Sequence, residues 1–304
     1  MVPRRLKARL YRAYQLGHWI RRREWGVVAA LLGGGRPPRA AGASLDARVS
    51  IALTVYNRST LALEAVRRVG ADPRIAEIVV SDDASEPSEY ERLRAVFTEL
   101  SPKARIYCND RNRGDLWNKH RAVSRCTSAF AILFDWDNVL DTAYVDRLFG
   151  AAPWRRDCFY CPEYARPHFD LRLFGGVTLD LALVRRALHR APRDRRLELL
   201  LNDGNYLVPV REYVEAVGPF RDLPVHGADV FAASYLWMRR GGRLHVLRGL
   251  AYDHRVHDGS YARLTAEDTK RAVRAIRHAI LAGRVWPPGA EDGHRAMAGG
   301  QRGP

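Results

Sequence analysis

Between Val49 and Phe134 the chain alternates short β-branched or apolar runs with segments of helical periodicity, and this pattern constrains the fold more than any other feature. Residues 49–56, 76–81, 104–108 and 128–134 read as strands. After the first, Ser59 stands where it can cap a helix carrying Leu63, Val66 and Val69. Pro87 suits the first turn of a second helix, whose apolar face is Tyr90, Leu93, Phe97 and Leu100. Residues 114–125 form a third helix candidate, and the almost wholly apolar run after it fits a strand covered on both faces. Repeated strand–helix units join strands by crossovers rather than hairpins. The expected class is therefore α/β, with a mostly parallel central sheet flanked by helices in a single main domain.

In an open parallel sheet ligands bind beyond the carboxyl ends of the strands, so the residues just after each run carry the functional information. Here they are polar and acidic: Tyr56-Asn57 after the first, Asp82-Asp83 after the second, and Asp135-Trp136-Asp137-Asn138 after the fourth. One such pair alone would suit a turn or a helix cap; three converging at one sheet edge point to a site. Asp135 and Asp137 are two apart, so in extended backbone their carboxylates share a side and Trp136 faces the other way. Together they suit one hard cation, Mg²⁺ or Mn²⁺, which takes oxygen ligands and keeps positions open for water and substrate phosphates. Asp82 and Asp83 cannot attract phosphate, but they can accept hydrogen bonds from ribose hydroxyls or a base N–H.

These residues, in this order, resemble a glycosyltransferase family 2 enzyme of the GT-A (Rossmann-like) fold, over roughly residues 49–260. The resemblance rests on the opening strand with Thr54-Val55-Tyr56-Asn57 and on Ser81-Asp82-Asp83-Ala84-Ser85. It continues through the turn Asn112-Arg113-Gly114, the D-x-D element Asp135-Trp136-Asp137, Gly204-Asn205 with Val217-Gly218-Pro219-Phe220, and finally Asp229. It implies that Asn57, Asp82, Asp83, Arg113 and Asp135 hold the nucleotide, and that Asp135 and Asp137 bind Mn²⁺ or Mg²⁺. Asp229 would be the general base, although an Asp there would also suit a helix cap before Val230. A histidine reaching the metal is expected as well, with His257 preferred and His254 as the alternative. The implied reaction moves one sugar from a nucleotide-diphosphate sugar to the hydroxyl of a glycan, lipid-linked or small-molecule acceptor, with inversion, as in cell-surface polysaccharide or glycoconjugate synthesis. Thr54, Ala84 and Ala228 depart from the usual proline, glycine and acid, and none removes an assigned carboxylate. The Q-x-x-R-W element of processive synthases is missing, which favours a single transfer.

Lys+Arg 50 against Asp+Glu 34 gives a net charge of +16, which favours anionic partners such as nucleotide phosphates or lipid headgroups. With no recognised nucleic-acid motif, nucleic acid is not an expected partner. No glycine-rich phosphate loop follows the first strand, which weighs against a nucleotidyltransferase; a non-catalytic nucleotide-sugar-binding protein of the same fold is a further alternative. Residues 1–47 read as a basic amphipathic helix with Leu6, Leu10, Tyr14 and Trp19, then a linker; the helix suits either an anionic membrane surface or its own domain. Residues 48–262 form the main domain, with 48–140 the nucleotide-binding half and 141–262 the acceptor half. Within the latter, 151–205 reads as lengthening polar loops. Residues 263–286 make a C-terminal helix with Val273, Ile276 and Ile280 on one face, and 287–304 a disordered tail.

No run approaches the roughly 18–20 apolar residues of a membrane span, and no signal-peptide core follows the basic start. The expected location is cytoplasmic, with or without peripheral contact at the inner face of the cell membrane. Cys108, Cys126, Cys158 and Cys161 are expected as reduced thiols, since the one C-x-x-C lacks two further ligands for structural zinc. Trp117, Trp136 and Trp237 are candidates either for stacking on a base or sugar ring or for the core.

Overall fold

The computed structural model describes residues 48–192, 195–255 and 266–288. Its first half follows the alternation closely: β1 Val49–Val55, α1 Ser59–Val66, β2 Ile75–Asp82, α2 Pro87–Leu100, β3 Ala104–Cys108, α3 Asp115–Ser124 and β4 Phe130–Asp135. The strands lie in the order β3-β2-β1-β4 and all pair in parallel. Register brings Val55 opposite Asp82, Thr54 opposite Asp135 and Asp82 opposite Cys108, so the acidic carboxyl ends finish level with one another.

Burial on both sides of these strands follows from their side-chain alternation. Phe130, Ile132 and Phe134 join Ile51, Leu53, Val80 and Phe97 on one side of the sheet. Ala131 and Leu133 join Phe159, Phe231 and Trp237 on the other. Each such fully buried Leu, Ile or Phe contributes on the order of 1.5–3 kcal/mol, so the two layers fix the sheet from above and below.

Two local expectations are corrected. Ser59 does not cap α1; Arg58 occupies the cap position, and both the backbone N and Oγ of Ser59 donate to Glu89 Oε2 of α2, at 3.0 and 2.9 Å. A carboxylate from the next helix thus satisfies the helix start, a long-range partner that a local cap signal does not reveal. The stretch 151–205 is not loop but largely regular structure. It holds β5 Cys158–Arg166, β6 Phe169–Asp170, β7 Thr178–Leu179, α5 Leu181–Arg190 and α6 Arg196–Asn202, after α4 Thr142–Phe149. Its strands are hidden in the sequence because two of them are two residues long and β5 carries Pro162 beside a register shift against its neighbour.

The chain continues through β8 Leu207–Pro209, α7 Val210–Val217, α8 Asp229–Arg239, β9 Arg243–Asp253 and α9 Ala266–Ala282. β8 pairs antiparallel with both β4 and β5, β9 runs parallel to β5, and β7 closes the far edge antiparallel to β9. The sheet is parallel in its first half and mixed in its second, giving the expected α/β architecture with helices on both faces. Ile276 and Ile280 of α9 are buried and Val273 packs against the core, as their spacing predicts.

The basic N-terminal helix and linker, His257, and the tail from residue 289 lie outside the described residues. No helix among the described residues is long and apolar enough to cross a membrane.

Candidate active site

At the carboxyl edge of the sheet, the end of β4 meets the start of α8 across a single lysine. Lys119 Nζ lies 2.7 Å from Asp135 Oδ1 and 2.7 Å from Asp229 Oδ2, with both Lys119 and Asp229 almost completely buried. Burial opposes the ammonium charge, but the Asp135 and Asp229 carboxylates outweigh it and hold the Lys119 pKa well above its ordinary value. The sequence does not mark Lys119, because its partner Asp229 is 110 residues away.

Each carboxylate is placed by its own element. Asp229 is the first residue of α8, so the helix start aims it at the edge of the sheet; its side chain makes no cap. Asp135 ends β4, and its backbone N donates to Asn205 Oδ1 at 3.0 Å. The adjoining Gly204 and Asn205 both have positive φ, +80° and +56°, the Asn205 carbonyl being held by the Tyr144 hydroxyl. A Cβ on Gly204 would lie 3.2 Å from Asp135 Oδ2, a tight contact, and the φ of +80° is itself one that favours glycine.

Further acids crowd this point. Asp115, the first residue of α3, accepts from Gly227 N at 3.3 Å; burial, with the Asp229 charge adding to it, pushes its pKa up to about 7. Burial, and then the Asp135 charge, likewise pushes Asp137 up to about 7. Asp203 accepts from the Tyr252 hydroxyl through Oδ1 at 2.9 Å, while its Oδ2 is sealed from solvent without a partner; burial pushes it up to about 8. Asp115 and Asp203 are functional candidates that the sequence reading misses. One signal was available for Asp115: Asp at the first position of a helix, four residues before Lys119, is a favourable i,i+4 pair at the positive end of the dipole.

Asp135 and Asp229 thus share one ammonium, and Asp115 and Asp137, which feel the same charges, add to the excess of negative charge. Among the described residues no group of three or more His, Cys, Asp or Glu side chains is already arranged to hold a metal ion. The donor set nevertheless fits a hard divalent cation: its ligands are all carboxylates, and mutual repulsion there is what such a cation relieves.

Beyond β1, β2 and β3 the acids are engaged in building turns. Asp82 accepts from Ser85 N at 3.0 Å and from the Ser85 hydroxyl. Asp83 Oδ1 accepts from Asn109 Nδ2 at 2.6 Å and Arg113 N at 2.9 Å, and Oδ2 from Gly114 N at 2.9 Å; burial raises its pKa. Asn57, at φ +52°, accepts from Glu86 N through Oδ1 at 2.7 Å and donates its backbone N to Ser85 Oγ at 2.7 Å. The Arg113 guanidinium pairs with Asp110 at 2.9 Å and lies 5.4 Å from the Trp117 ring centre. These residues knit the loops after β1, β2 and β3 into one rim beside the cation-fitting cluster.

His254 follows β9, and its Nδ1 lies 2.9 Å from His168 Nδ1, so one ring donates and the other accepts. Burial, then the neighbouring His168, lowers its pKa to about 4. Trp237 is a core residue stacked on Phe159 at 4.4 Å, whereas Trp117 and Trp136 lie against the guanidiniums of Arg113 and Arg58. All four cysteines are free, and Cys158 and Cys161 are buried in β5.

Residues 50–172 match the family model described as glycosyl transferase family 2. No curated protein matches at the sequence level. Among solved structures, a mannosyltransferase from Pyrobaculum calidifontis, in complex with GDP-Man and Mn²⁺, aligns with TM-score 0.56 at 17% identity, covering 97% of this chain and 87% of that one. Glucosyl-3-phosphoglycerate synthase from Mycobacterium tuberculosis, in complex with Mn²⁺, UDP and phosphoglyceric acid, aligns with TM-score 0.55 at 15% identity, covering 86% of this chain and 93% of that one. The same synthase with Mg²⁺ and UDP aligns with TM-score 0.53 at 15% identity, over 82% and 87% of the two chains. The fold is that of GT-A glycosyltransferases.

Proposed function

On the premise that residues 50–172 are a glycosyltransferase family 2 segment within a GT-A fold, we propose that this chain is a metal-dependent, inverting, non-processive glycosyltransferase. It would move one sugar from a nucleotide-diphosphate sugar to an acceptor hydroxyl. The observation that carries this reading is the convergence of the D-x-D carboxylate Asp135 and the base candidate Asp229 on one ammonium, at 2.7 Å each.

In this reading Asp135 and Asp137 hold Mn²⁺ or Mg²⁺, with His257 as a further ligand. When bound, the cation neutralises the charge that develops on the diphosphate. The rim formed by Asn57, Asp82, Asp83 and Arg113 receives the nucleoside. Asp83 still has acceptor capacity beyond its three turn contacts, because an ionised carboxylate offers about four lone-pair sites. Asp229 takes the proton of the acceptor hydroxyl, a role worth typically about 10² to 10⁴ in rate. Its Oδ2 is occupied by Lys119, which leaves Oδ1 for that proton. Attack from the face opposite the diphosphate inverts the anomeric carbon.

Residues 48–140 serve the nucleotide and 141–262 the acceptor. The basic segment before residue 48 suits peripheral contact with an anionic membrane and a lipid-linked or cell-surface glycan acceptor. Undiminished liposome binding after deletion of residues 1–32 would remove that element of the proposal.

The test is thermal stability against UDP-, GDP-, dTDP- and CMP-sugars, each with and without Mn²⁺. A ligand at 100 times its dissociation constant stabilises by about 2.7 kcal/mol, a shift of several degrees. A metal-dependent shift with one nucleotide class, lost in Asp137→Asn, is expected. No shift with any donor would remove the main support for the reading.

A further inference from the structure

Of the 50 basic residues only four are lysines, at 7, 103, 119 and 270, leaving 50 − 4 = 46 arginines. Yet the cation set between Asp135 and Asp229 is a lysine. The physical difference bears on the site: guanidinium is a planar fork suited to bidentate pairing with one carboxylate, whereas ammonium is a compact point charge. Lys119 Nζ contacts one oxygen from each of two separate carboxylates at 2.7 Å, as a small cation would. The lysine is almost fully buried, on α3, one helical turn after Asp115, whose carboxylate belongs to the same charge cluster.

We propose that Lys119 is a resident counter-cation of the active site. It is a positioning residue that holds the D-x-D element and the base together until a divalent cation takes Asp135, and it then remains with Asp229 and Asp115. The inference rests on the reading of Asp135 and Asp137 as the cation ligands. Asp135 Oδ1 cannot serve the ammonium and a divalent cation at full strength together, because two positive charges within about 4 Å repel each other. Filling the cation site therefore transfers Lys119 from two carboxylates of the D-x-D and base to the base side alone. A competing internal cation also makes the metal-free protein bind Mn²⁺ more weakly than its carboxylates would allow.

The experiment is a titration of the full chain with Mn²⁺ alone, followed by the loss of the free-ion EPR signal, in wild type, Lys119→Met, Lys119→Arg and Asp137→Asn. Thermal melts accompany each variant to establish folding. Lys119→Met is expected to bind Mn²⁺ at least tenfold more tightly than wild type, Lys119→Arg to fall between the two because it keeps the charge but not the point contact with both carboxylates, and Asp137→Asn to lose binding. A merely structural lysine would give unchanged or weaker binding in Lys119→Met, and that result overturns the proposal while leaving the metal site intact. Equal binding by wild type and Asp137→Asn, or none by either, removes the metal reading itself and the proposal with it.

Should Lys119→Met not fold, ζ-¹⁵N NMR of the wild-type protein with Mg²⁺ decides the question, since four ammoniums give at most four signals. The Lys119 signal should shift as Mg²⁺ binds. A Lys119 signal that stays in place while Mg²⁺ saturates overturns the proposal.

Discussion

Asp203→Asn removes the charge of a carboxyl group that the fold solvates poorly, with little change in shape. Oδ1 of Asp203 accepts from the Tyr252 hydroxyl, a bond that the Asn amide oxygen keeps, while Oδ2 is sealed without a partner. Burial raises its pKa from 3.8 to about 8, so the folded protein binds a proton that the unfolded chain releases. Stability associated with this group is therefore full below pH 3.8 and is lost as pH rises toward 8. At pH 7 the loss spans 7 − 3.8 = 3.2 pH units, which at about 1.36 kcal/mol per unit is about 4 kcal/mol. Relaxation and water entering around the charge reduce this to roughly 1–3 kcal/mol. Denaturant unfolding of both proteins between pH 5 and pH 8.5 should show wild type losing more stability than the variant as pH rises, and the variant ahead at pH 8. Because Asp115 and Asp137 titrate in the same direction in both proteins, the difference between the two curves isolates Asp203. Parallel curves, or a variant less stable at pH 8, would refute the assignment of a buried, poorly solvated carboxyl.

Three further outcomes are expected. Gly204→Ala places a Cβ at φ +80° and 3.2 Å from Asp135 Oδ2, which should destabilise by about 1–2 kcal/mol and weaken Mn²⁺ binding; a melt and a titration that both match wild type would contradict it. His254→Phe should retain more stability than wild type at pH 5. The wild-type imidazole, lowered to about 4 by burial and His168, must stay neutral where the unfolded chain is protonated, so stability is lost as pH falls from 6.5 toward 4. The gain at pH 5 should be about 1–2 kcal/mol, and no difference in acid unfolding would count against the buried pair. Burial pushes the Cys126 and Cys158 thiols up to about 12 and holds Cys161 well above its usual range. A thiol reagent at pH 8 should leave the two buried thiols, Cys158 and Cys161, unmodified in the native protein and titrate all four cysteines after denaturation; rapid native labelling of either would contradict their burial.

Much of the first half of the domain is legible in the sequence because its signals are local. Apolar runs mark β1, β2 and β4 and Pro87 marks the start of α2, whereas β4 ends at Asp135 and Trp136-Asp137 form a turn, so the same-side placement expected for extended backbone does not apply there. Side-chain periodicity likewise fixes which residues of α9 are buried. The second half is less legible because β6, β7 and β8 are two or three residues long and exist only through partners distant in sequence. The resemblance singles out Asp229 but says nothing of what it faces.

What the sequence determines by itself is the α/β class and the set of acids at the ends of parallel strands, since both follow from periodicity within a few residues. The tertiary structure alone decides how those acids are used: Asp82 and Asp83 hold turns together, Glu89 of one helix secures the start of another, and Lys119 joins Asp135 to Asp229. Each of those contacts depends on where a charge is buried and what lies beside it, and neither is a property of neighbouring positions along the chain.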